Sequence, residues 1–370
     1  MPPEPIADRL ERLIGEQGPI PVSRYVEEAL YGPDGFYMSG GHAGRRGDFL
    51  TAPEVGPLFG AVVARAIDLW WREAGEPATF VVHEWGAGPG TLARAVLAAA
   101  PAVLISGALR WHLIEHSDTQ REQHPTHPQL SSSAEPPVGA ADVVLANELL
   151  DNLPFDIWER GDTTHDNRWH SLLVDRRDAE GRFVLVRDDR PLDGAAVEAL
   201  AQLPGISHLP EGTRIPWLGP AQRWLVDRCA TGPDAHGRVV IIDYGAATSE
   251  LAAREGGWLR THVSHDGSSD WLRHPGSCDI TTDVAFDQLA MAHAPHLDLR
   301  QDEWLRHHGI EMLVEEGKRV WEERAGVGDL AALRARSRVN ESQALLDPTG
   351  MGAFRVLGWV PRRSPGDGVH

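Results

Sequence analysis

The chain has 370 residues, enough to bury a sizeable core as one large α/β domain with insertions or as two domains. Its 35 Lys and Arg against 54 Asp and Glu give a formal net charge of −19, which argues against nucleic-acid or anionic-membrane binding. Two cysteines, no apolar run of membrane-spanning length and an acidic amino terminus favour a protein of the reducing cytoplasm without a disulfide framework.

The first part of the chain predicts helices separated by a glycine-rich segment. Apolar residues recur at helical spacing over residues 4 to 16, and a second helix follows from residue 23 to 30. Residues 35 to 53 read GFYMSGGHAGRRGDFLTAP, which is either a surface loop or a lid over an active site. A long helix is predicted over residues 54 to 71. Glu54 at its start favours the helix dipole and directly follows the suspected lid.

A strand, a glycine turn and a helix are predicted over residues 79 to 101. The strand ends at Glu84, and three glycines follow at alternate positions: Gly86, Gly88 and Gly90. Glycine lets a ligand approach the backbone closely, and the free N–H groups at the helix start suit a polar or anionic ligand. Taken alone, such a turn is as often an ordinary tight loop. The glycine spacing disfavours NAD, whose fingerprint is G-x-G-x-x-G.

Polar side chains also end the next two predicted strands. The strand over residues 109 to 115 ends in Glu115, about 25 residues beyond the glycines, near the offset of an acid that binds a ribose diol. The strand over residues 143 to 145 delivers Asn147, Glu148 and Asp151 at its carboxyl end, where open α/β sheets bind ligands. This order of acid, alternating glycines and second acid is more typical of S-adenosylmethionine binding.

The second half of the chain predicts an insertion and a return to the sheet. Residues 155 to 215 contain strand-like runs with turn residues between them, which predict an antiparallel insertion. That insertion is either a wall of the substrate site or a decorative or dimerising hairpin. Residues 237 to 244 form another buried-type strand, ending in an acid and a tyrosine. His124 and His127 lie in a Pro-rich stretch, which disfavours a metal site.

Motifs along nearly the whole chain occur in the order of one known family. They read GDFLTAPEVGPLFG, VVHEWGAGPGTL, WHLIEHS, LANELLDNLPFD, VVIIDYG, PGSCDITTDVAF, LRHHGI and LLDPTGMGAFRVL. With these motifs the chain resembles the MidA-type family of class I methyltransferases, whose mitochondrial members assist complex I assembly. The combination of GDF-T-PE with N-E-x-x-D-x-L-P carries the resemblance far more specifically than the glycine turn does.

The resemblance implies an α/β, Rossmann-like methyltransferase fold with a mostly parallel seven-stranded sheet. It implies S-adenosylmethionine as the cofactor and, in the best-known branch, a protein arginine as the methyl acceptor. No metal is expected from the spacing of the histidines. The implied cofactor-binding residues are Glu84, Gly86, Gly88, Gly90, Glu115 and Asn147. The implied residues of methyl transfer are Asn147, Glu148, Asp48 and Glu54, the last two at the substrate entrance. Our hypothesis is that Glu148 and one lid acid clamp the nucleophile while Asn147 positions it.

The chain is expected to divide into four segments. These are residues 1–75 with the N-terminal helices and lid, 76–154 with the cofactor-binding core, 155–215 with the insertion, and 216–370 with the rest of the sheet and the C-terminal helices.

The sequence also departs from the family and leaves alternatives open. Pro89 replaces an arginine of the glycine turn, and the 25 residues after Glu115 show no clear third strand, which affects the expected adenine contacts. One alternative is an N- or O-methyltransferase of a small molecule. Another is a non-catalytic assembly or binding protein that keeps the cofactor fold. Partners are therefore expected to be a protein or small-molecule acceptor and a second copy of the chain, not nucleic acid or membrane.

Overall fold

A computed structural model describes residues 4–38, 51–161, 168–230, 236–263, 269–327 and 329–360. The predicted acid Asp48 and most of the suspected lid lie outside the described residues. The helices are α1 Ile6–Gln17, α2 Val22–Tyr31, α3 Ala52–Val55, α4 Pro57–Glu73, α5 Thr91–Ala99, α6 Ala102–Ile105, α7 Asp118–Arg121, α8 Gly194–Ala201, α9 Gly219–Arg228, α10 Thr248–Ala253, α11 Phe286–Ala292, α12 Gln301–His307, α13 Ile310–Arg324 and α14 Leu330–Leu345.

The strands are β1 Ile20–Pro21, β2 Phe80–Trp85, β3 Leu109–Ile114, β4 Leu130–Ser133, β5 Val143–Asn147, β6 Asp156–Arg160, β7 Trp169–Arg177, β8 Phe183–Pro191, β9 Arg214–Trp217, β10 Arg238–Asp243, β11 Gly245–Ala246, β12 Leu259–Val263, β13 Cys278–Thr282, β14 Val284–Ala285, β15 Leu297–Arg300 and β16 Arg355–Trp359. Short 3₁₀ turns span Leu150–Asn152, Ile206–His208 and Met351–Ala353. In the described part of the chain no helix is long and apolar enough to cross a membrane.

The central sheet has seven strands in the order β15-β16-β10-β5-β2-β3-β4. Pairing is parallel from β10 through β5, β2 and β3 to β4, while β16 runs antiparallel to both of its neighbours. The predicted mostly parallel, seven-stranded α/β sheet is therefore confirmed. Such sheets are covered on both faces, which explains the continuous apolar runs that mark their strands in the sequence.

The two faces of this sheet contribute to two apolar cores. Along β5, Val143 and Leu145 pack with α4 and α5, whereas Val144 and Ala146 pack with α1 and α2 on the opposite side. Successive side chains of a strand point to opposite faces, so each core receives every second residue. Packing on both faces therefore fixes the position of β5, whose carboxyl end carries polar residues.

A second, antiparallel sheet forms where the insertion was predicted. Strands β6, β7 and β8 pair in sequence order, and β9 completes the sheet beside β6. The N-terminal strand β1 also joins it by pairing with β7 through Ile20 and Val174. The alternating pattern of residues 155 to 215 cannot predict this pairing, because β1 lies far away in the sequence. The four-segment division of the chain stays a prediction.

The helix predicted over residues 54 to 71 is interrupted. Helix α3 ends at Val55 and α4 begins at Pro57, because proline has no N–H for a continuing helix but fits the first helical position. The N–H of Leu58, which has no partner within its helix, donates to Glu341 Oε2 at 2.8 Å. The break allows α3 to turn toward the ends of the central strands.

The region after Glu115 contains a strand that its own residues do not predict. β4 pairs in parallel with β3 through four residue pairs, from Trp111 with Leu130 to Ile114 with Ser133. Its side chains are three serines and one leucine. The strand lies at the edge of the sheet, where it is partly exposed to water, so it does not require apolar side chains. The third strand is therefore short, and it is present.

A substitution at Gly60 tests the close packing of α4 on α5. A Cβ at this position would lie 2.3 Å from the Ala95 Cβ, so the two helices touch backbone to backbone. Helix propensity alone predicts that Gly60→Ala stabilises by about 1 kcal/mol. We expect instead a loss of about 1–3 kcal/mol in the free energy of unfolding, since the added methyl forces the helices apart.

Urea unfolding of the purified protein measures this effect. Gly194→Ala is the matched control, because Gly194 is also helical and has nothing within 4 Å of a Cβ. A stabilised Gly60→Ala variant would contradict the close helix contact.

Candidate active site

Strand register brings three polar strand ends to one edge of the central sheet. Trp85 at the end of β2 pairs with Ala146 of β5, and Asn147 at the end of β5 pairs with Ile242 of β10. Because these strands are parallel and adjacent, the glycine turn, Asn147 and Asp243 emerge side by side. This is the edge at which open α/β sheets bind ligands.

The glycine turn after β2 is anchored to the end of β3. The N–H groups of Gly86 and Ala87 donate to Ile114 O at 3.0 and 3.2 Å. Gly86, Gly88 and Gly90 have φ of 64°, 52° and 74°, in the left-handed region that favours glycine. Arg94 donates to Pro89 O at 2.6 Å, so an arginine one turn into α5 braces the turn despite the proline.

The turn has the features that a bound S-adenosylmethionine requires. A Cβ on Gly88 would meet nothing within 4 Å, so the space beside this residue is open to a ligand. Across the edge, Asn147 Oδ1 is buried and accepts no hydrogen bond from the described residues. A buried polar atom of this kind calls for a ligand or an ordered water. The residues present therefore fit the cofactor.

Glu115 lies at the end of β3, directly beside the turn. Its Oε2 accepts the Gly88 N–H at 3.0 Å, and its Oε1 accepts the Ser117 N–H at 2.9 Å. A carboxylate has about four acceptor sites, so both oxygens retain capacity for a ribose diol. His124 Nε2 lies 2.8 Å from Gly88 O, which makes this histidine part of the turn's surroundings. The spacing of His124 in the sequence raises only the question of a metal site and does not reveal this contact.

Glu84 occupies a different environment from the other predicted cofactor residues. Its side chain is 4% exposed and accepts a hydrogen bond from Trp111 Nε1 at 2.8 Å. Burial raises its pKa to about 8, so the carboxyl is mostly protonated near neutral pH. Glu84 thus lies beneath the turn, and its predicted contact with the cofactor stays a prediction.

Asn147 and Glu148 form a hydrogen-bonded pair at the end of β5. Glu148 Oε1 accepts from Asn147 Nδ2 at 3.2 Å and from the Ala52 N–H at 3.1 Å. Glu148 has φ of 49°, which is uncommon for a residue with a side chain and typical of functional sites. Its own N–H donates to Ile242 O at 2.8 Å. The β5 end and α3 therefore fix its carboxyl group together.

Glu54 is near this pair but is used within its own helix. The Thr51 N–H donates to Glu54 Oε2 at 3.2 Å, in a capping box at the start of α3. The charge of Glu54 contributes to the raised pKa of Glu148, which places the two carboxyl groups within electrostatic range. Its catalytic assignment stays a prediction.

Four carboxyl groups form an electrostatically coupled cluster at this edge: the half-buried Glu148 and the buried Asp151, Asp243 and Asp279. Glu148 is coupled to Asp151 and Asp243, and Asp279 is coupled to Asp151. Burial raises the pKa of Glu148 to about 8, and the neighbouring charge of Asp151 adds to that shift. Burial likewise raises the pKa of Asp279 to about 7 and raises those of Asp151 and Asp243. None of the four has an ion-pair partner among the described residues, and no metal-binding set of side chains occurs there. Within the described part of the chain, no cation compensates the charge of these carboxyl groups.

Three tyrosines line this cluster. Tyr244 donates to Asp151 Oδ2 at 2.6 Å, and the Tyr37 hydroxyl lies 2.9 Å from Asp279 Oδ2. Tyr31 stacks on Tyr37 with ring centroids 5.6 Å apart. No local sequence pattern predicts a role for Tyr37 or Asp279. Both residues lie in segments that the sequence marks as unusual: Tyr37 in GFY at the start of the glycine-rich segment, and Asp279 in the family motif PGSCDITTDVAF. These segments could have suggested both residues as candidates.

Comparison with known proteins identifies the family. Residues 62–301 match a family described as "Putative S-adenosyl-L-methionine-dependent methyltransferase". The chain belongs to this family. The resemblance found in the sequence is confirmed, and so are the methyltransferase activity and its cofactor, S-adenosylmethionine.

Relatives agree with this assignment across most of the chain. The Drosophila melanogaster protein named "Protein arginine methyltransferase NDUFAF7 homolog, mitochondrial" is 29% identical over 321 residues, covering 76% of this chain and 68% of its own. The Bos taurus protein arginine methyltransferase NDUFAF7 is 29% identical over 352 residues, covering 84% and 75%. A Burkholderia thailandensis protein bound to S-adenosyl-homocysteine has a TM-score of 0.77 and 28% identity, covering 96% of this chain and 91% of that one.

The relatives correct one expectation. The predicted cytoplasmic location is wrong on this finding, since the similar proteins are named as mitochondrial. Two buried free cysteines indicate reducing surroundings but do not distinguish one reducing compartment from another.

A substitution at Gly88 tests whether S-adenosylmethionine binds beside the glycine turn. We expect Gly88→Val to weaken S-adenosylmethionine binding at least about tenfold, a loss of about 1.4 kcal/mol, because the new side chain fills the open space beside the turn. Calorimetric titration measures the dissociation constant.

The control for this variant is Gly181→Val. Gly181 has φ of 81° and nothing within 4 Å of a Cβ, so it carries a similar backbone cost on a hairpin away from the turn. Equal affinities for the two variants would contradict a cofactor site at Gly88.

Proposed function

We propose that this methyltransferase methylates the side chain of an arginine in an acceptor protein. The observation that carries the proposal is the cluster of four carboxyl groups, three buried and one half-buried, that has no ion-pair partner among the described residues. A guanidinium group is planar, always charged and suited to paired hydrogen bonds with carboxylates. The names of the relatives, protein arginine methyltransferases, support the same acceptor.

The chain's own residues would act mainly by positioning. S-adenosylmethionine supplies an activated methyl group when bound at the glycine turn. Glu148 would bind and orient the acceptor nitrogens, and Asn147, hydrogen-bonded to it, would fix the direction of that carboxylate. Only the ionised form of Glu148 can take up the proton that the acceptor releases, and this form becomes the major one as the pH rises past its pKa of about 8. Alignment of the two reactants then supplies much of the rate.

A small guanidino or amino compound is the second candidate acceptor. It is favoured by the depth of the carboxyl cluster, because Asp151, Asp243 and Asp279 are each at most 6% exposed. Incubation with labelled S-adenosylmethionine and either arginine-containing proteins or free guanidino compounds separates the two. Methylarginine recovered from hydrolysed protein supports the proposal, and label confined to small molecules overturns it.

Glu148→Gln tests the catalytic assignment. We expect turnover to fall roughly 100-fold, because the neutral amide neither holds the cation nor accepts its proton. S-adenosylmethionine affinity should stay within about twofold, since the wild-type carboxyl is itself mostly protonated near neutral pH.

The matched control is Asp302→Asn, a buried aspartate on α12 that pairs with Arg300 and Arg306. Loss of cofactor affinity in Glu148→Gln, with its turnover intact, would assign Glu148 to cofactor binding.

The pH dependence of the reaction provides a separate test. Below its pKa of about 8, Glu148 is neutral and attracts a cationic acceptor weakly. We therefore expect kcat/KM for the acceptor to rise with pH through this range, and the rise to flatten in Glu148→Gln. Initial rates between about pH 6 and 9 measure the profile. A wild-type profile that falls with rising pH would contradict this role.

A further inference from the structure

Asp279 belongs to the carboxyl cluster, but among its members it has no individual role in the proposed reaction so far. It lies on β13 with 6% of its surface exposed, and its Oδ2 faces the Tyr37 hydroxyl at 2.9 Å. Its Oδ1 is buried and has no partner at hydrogen-bonding geometry among the described residues, although the Ile280 N–H is near enough to lower the pKa of this carboxyl group. Leaving a buried carboxylate oxygen unpaired is costly, so such an atom in a folded protein calls for a ligand.

A chain of hydrogen bonds connects Asp279 to the acid beside it. The Tyr37 hydroxyl, which touches Asp279, also lies 2.6 Å from Asn152 Oδ1. Asn152 Nδ2 in turn donates to Asp151 Oδ1 at 3.0 Å. The negative charge of Asp151 adds to the burial that raises the pKa of Asp279 to about 7. A cation bound at Asp279 would offset both the cost of burying this carboxylate and its repulsion from Asp151.

A second chain of hydrogen bonds connects Asp279 to the cofactor site. Tyr37 O accepts from Ser117 Oγ at 2.8 Å, and the Ser117 N–H donates to Glu115 Oε1 at 2.9 Å. Glu115 in turn accepts the N–H of Gly88 in the glycine turn. Asp279 is thus held at a fixed position relative to the residues that hold the cofactor, which is what alignment of two reactants requires.

We propose that Asp279 is the second carboxylate of the acceptor site and binds the guanidinium group together with Glu148, with Tyr37 as its positioning residue. This inference rests on the proposed arginine acceptor. It places the second acid of the clamp on β13, within the described fold, whereas the sequence had suggested an acid of the lid. A guanidinium group has five N–H donors and so can serve two carboxylates at once.

The test measures binding of a guanidinium probe to the intact protein saturated with S-adenosyl-homocysteine. Ethylguanidine and its neutral isostere ethylurea are titrated against wild type, Asp279→Asn and Asp302→Asn, with ligand-detected NMR. Asp302 is a matched control because it is 8% exposed and hydrogen-bonded to two arginines elsewhere in the fold. We expect wild type and Asp302→Asn to prefer ethylguanidine, and Asp279→Asn to bind it at least about tenfold more weakly.

The outcomes separate this inference from the function on which it rests. Unchanged ethylguanidine binding in Asp279→Asn overturns the role of Asp279 and leaves the arginine acceptor in place. Wild type that binds S-adenosyl-homocysteine but no ethylguanidine overturns the arginine acceptor and, with it, this site. S-adenosyl-homocysteine affinity, measured for every variant, reports whether each one is folded.

A second pair of variants applies if Asp279→Asn does not fold. Tyr37→Phe removes the hydroxyl at Asp279, whereas Tyr31→Phe removes a hydroxyl that donates to the backbone carbonyl of Asn152. We expect Tyr37→Phe to weaken ethylguanidine binding several-fold more than Tyr31→Phe, with the same S-adenosyl-homocysteine affinity in both. Equal weakening, or none, in the two variants overturns the proposal.

Discussion

Parallel pairing of β5 with β2 on one side and with β10 on the other is the constraint on which the site depends. The register places Asn147 beside Ile242 and Ala146 beside Trp85, so all three strands end together. The glycine turn, Asn147 and Asp243 are consequently neighbours without any direct bond between them. A slip of one residue would move the polar ends into the apolar cores on either face. The alternating burial of β5 between those cores opposes such a slip.

This arrangement concentrates negative charge where the protein is least able to screen it. Asp151, Asp243 and Asp279 are buried and Glu148 is half-buried, and the pKa values of all four rise because ionisation there is unfavourable. By contrast, nearby Asp283 is paired with Arg254 and Arg260. Among the described residues, arginines pair with Asp283 but not with the four carboxyl groups of the cluster. Shifted pKa values of this kind are typical of sites selected for function at the expense of stability.

Sequence reasoning was most successful where the signal was local. Continuous apolar runs predicted β2, β3, β5 and β10, and the residues after them supplied the glycine turn, Glu115, Asn147 and Glu148. It was less successful where a distant contact decided the outcome. β4 has a serine-rich sequence and forms because β3 offers it a free edge. Asp279 is far along the chain from Tyr37, and nothing in either segment reveals that the two side chains meet.

The sequence by itself determined the fold class, the cofactor and the family, because each is encoded in contiguous stretches whose spacing survives divergence. Only the tertiary structure decided how the acids are grouped. Side chains from β5, β10 and β13 share one buried cluster, and their pKa values follow from burial and from each other's charge. It also showed Glu54 capping α3 and Glu84 lying beneath the turn. Burial and electrostatic coupling are properties of the three-dimensional neighbourhood, and no local pattern of residues contains them.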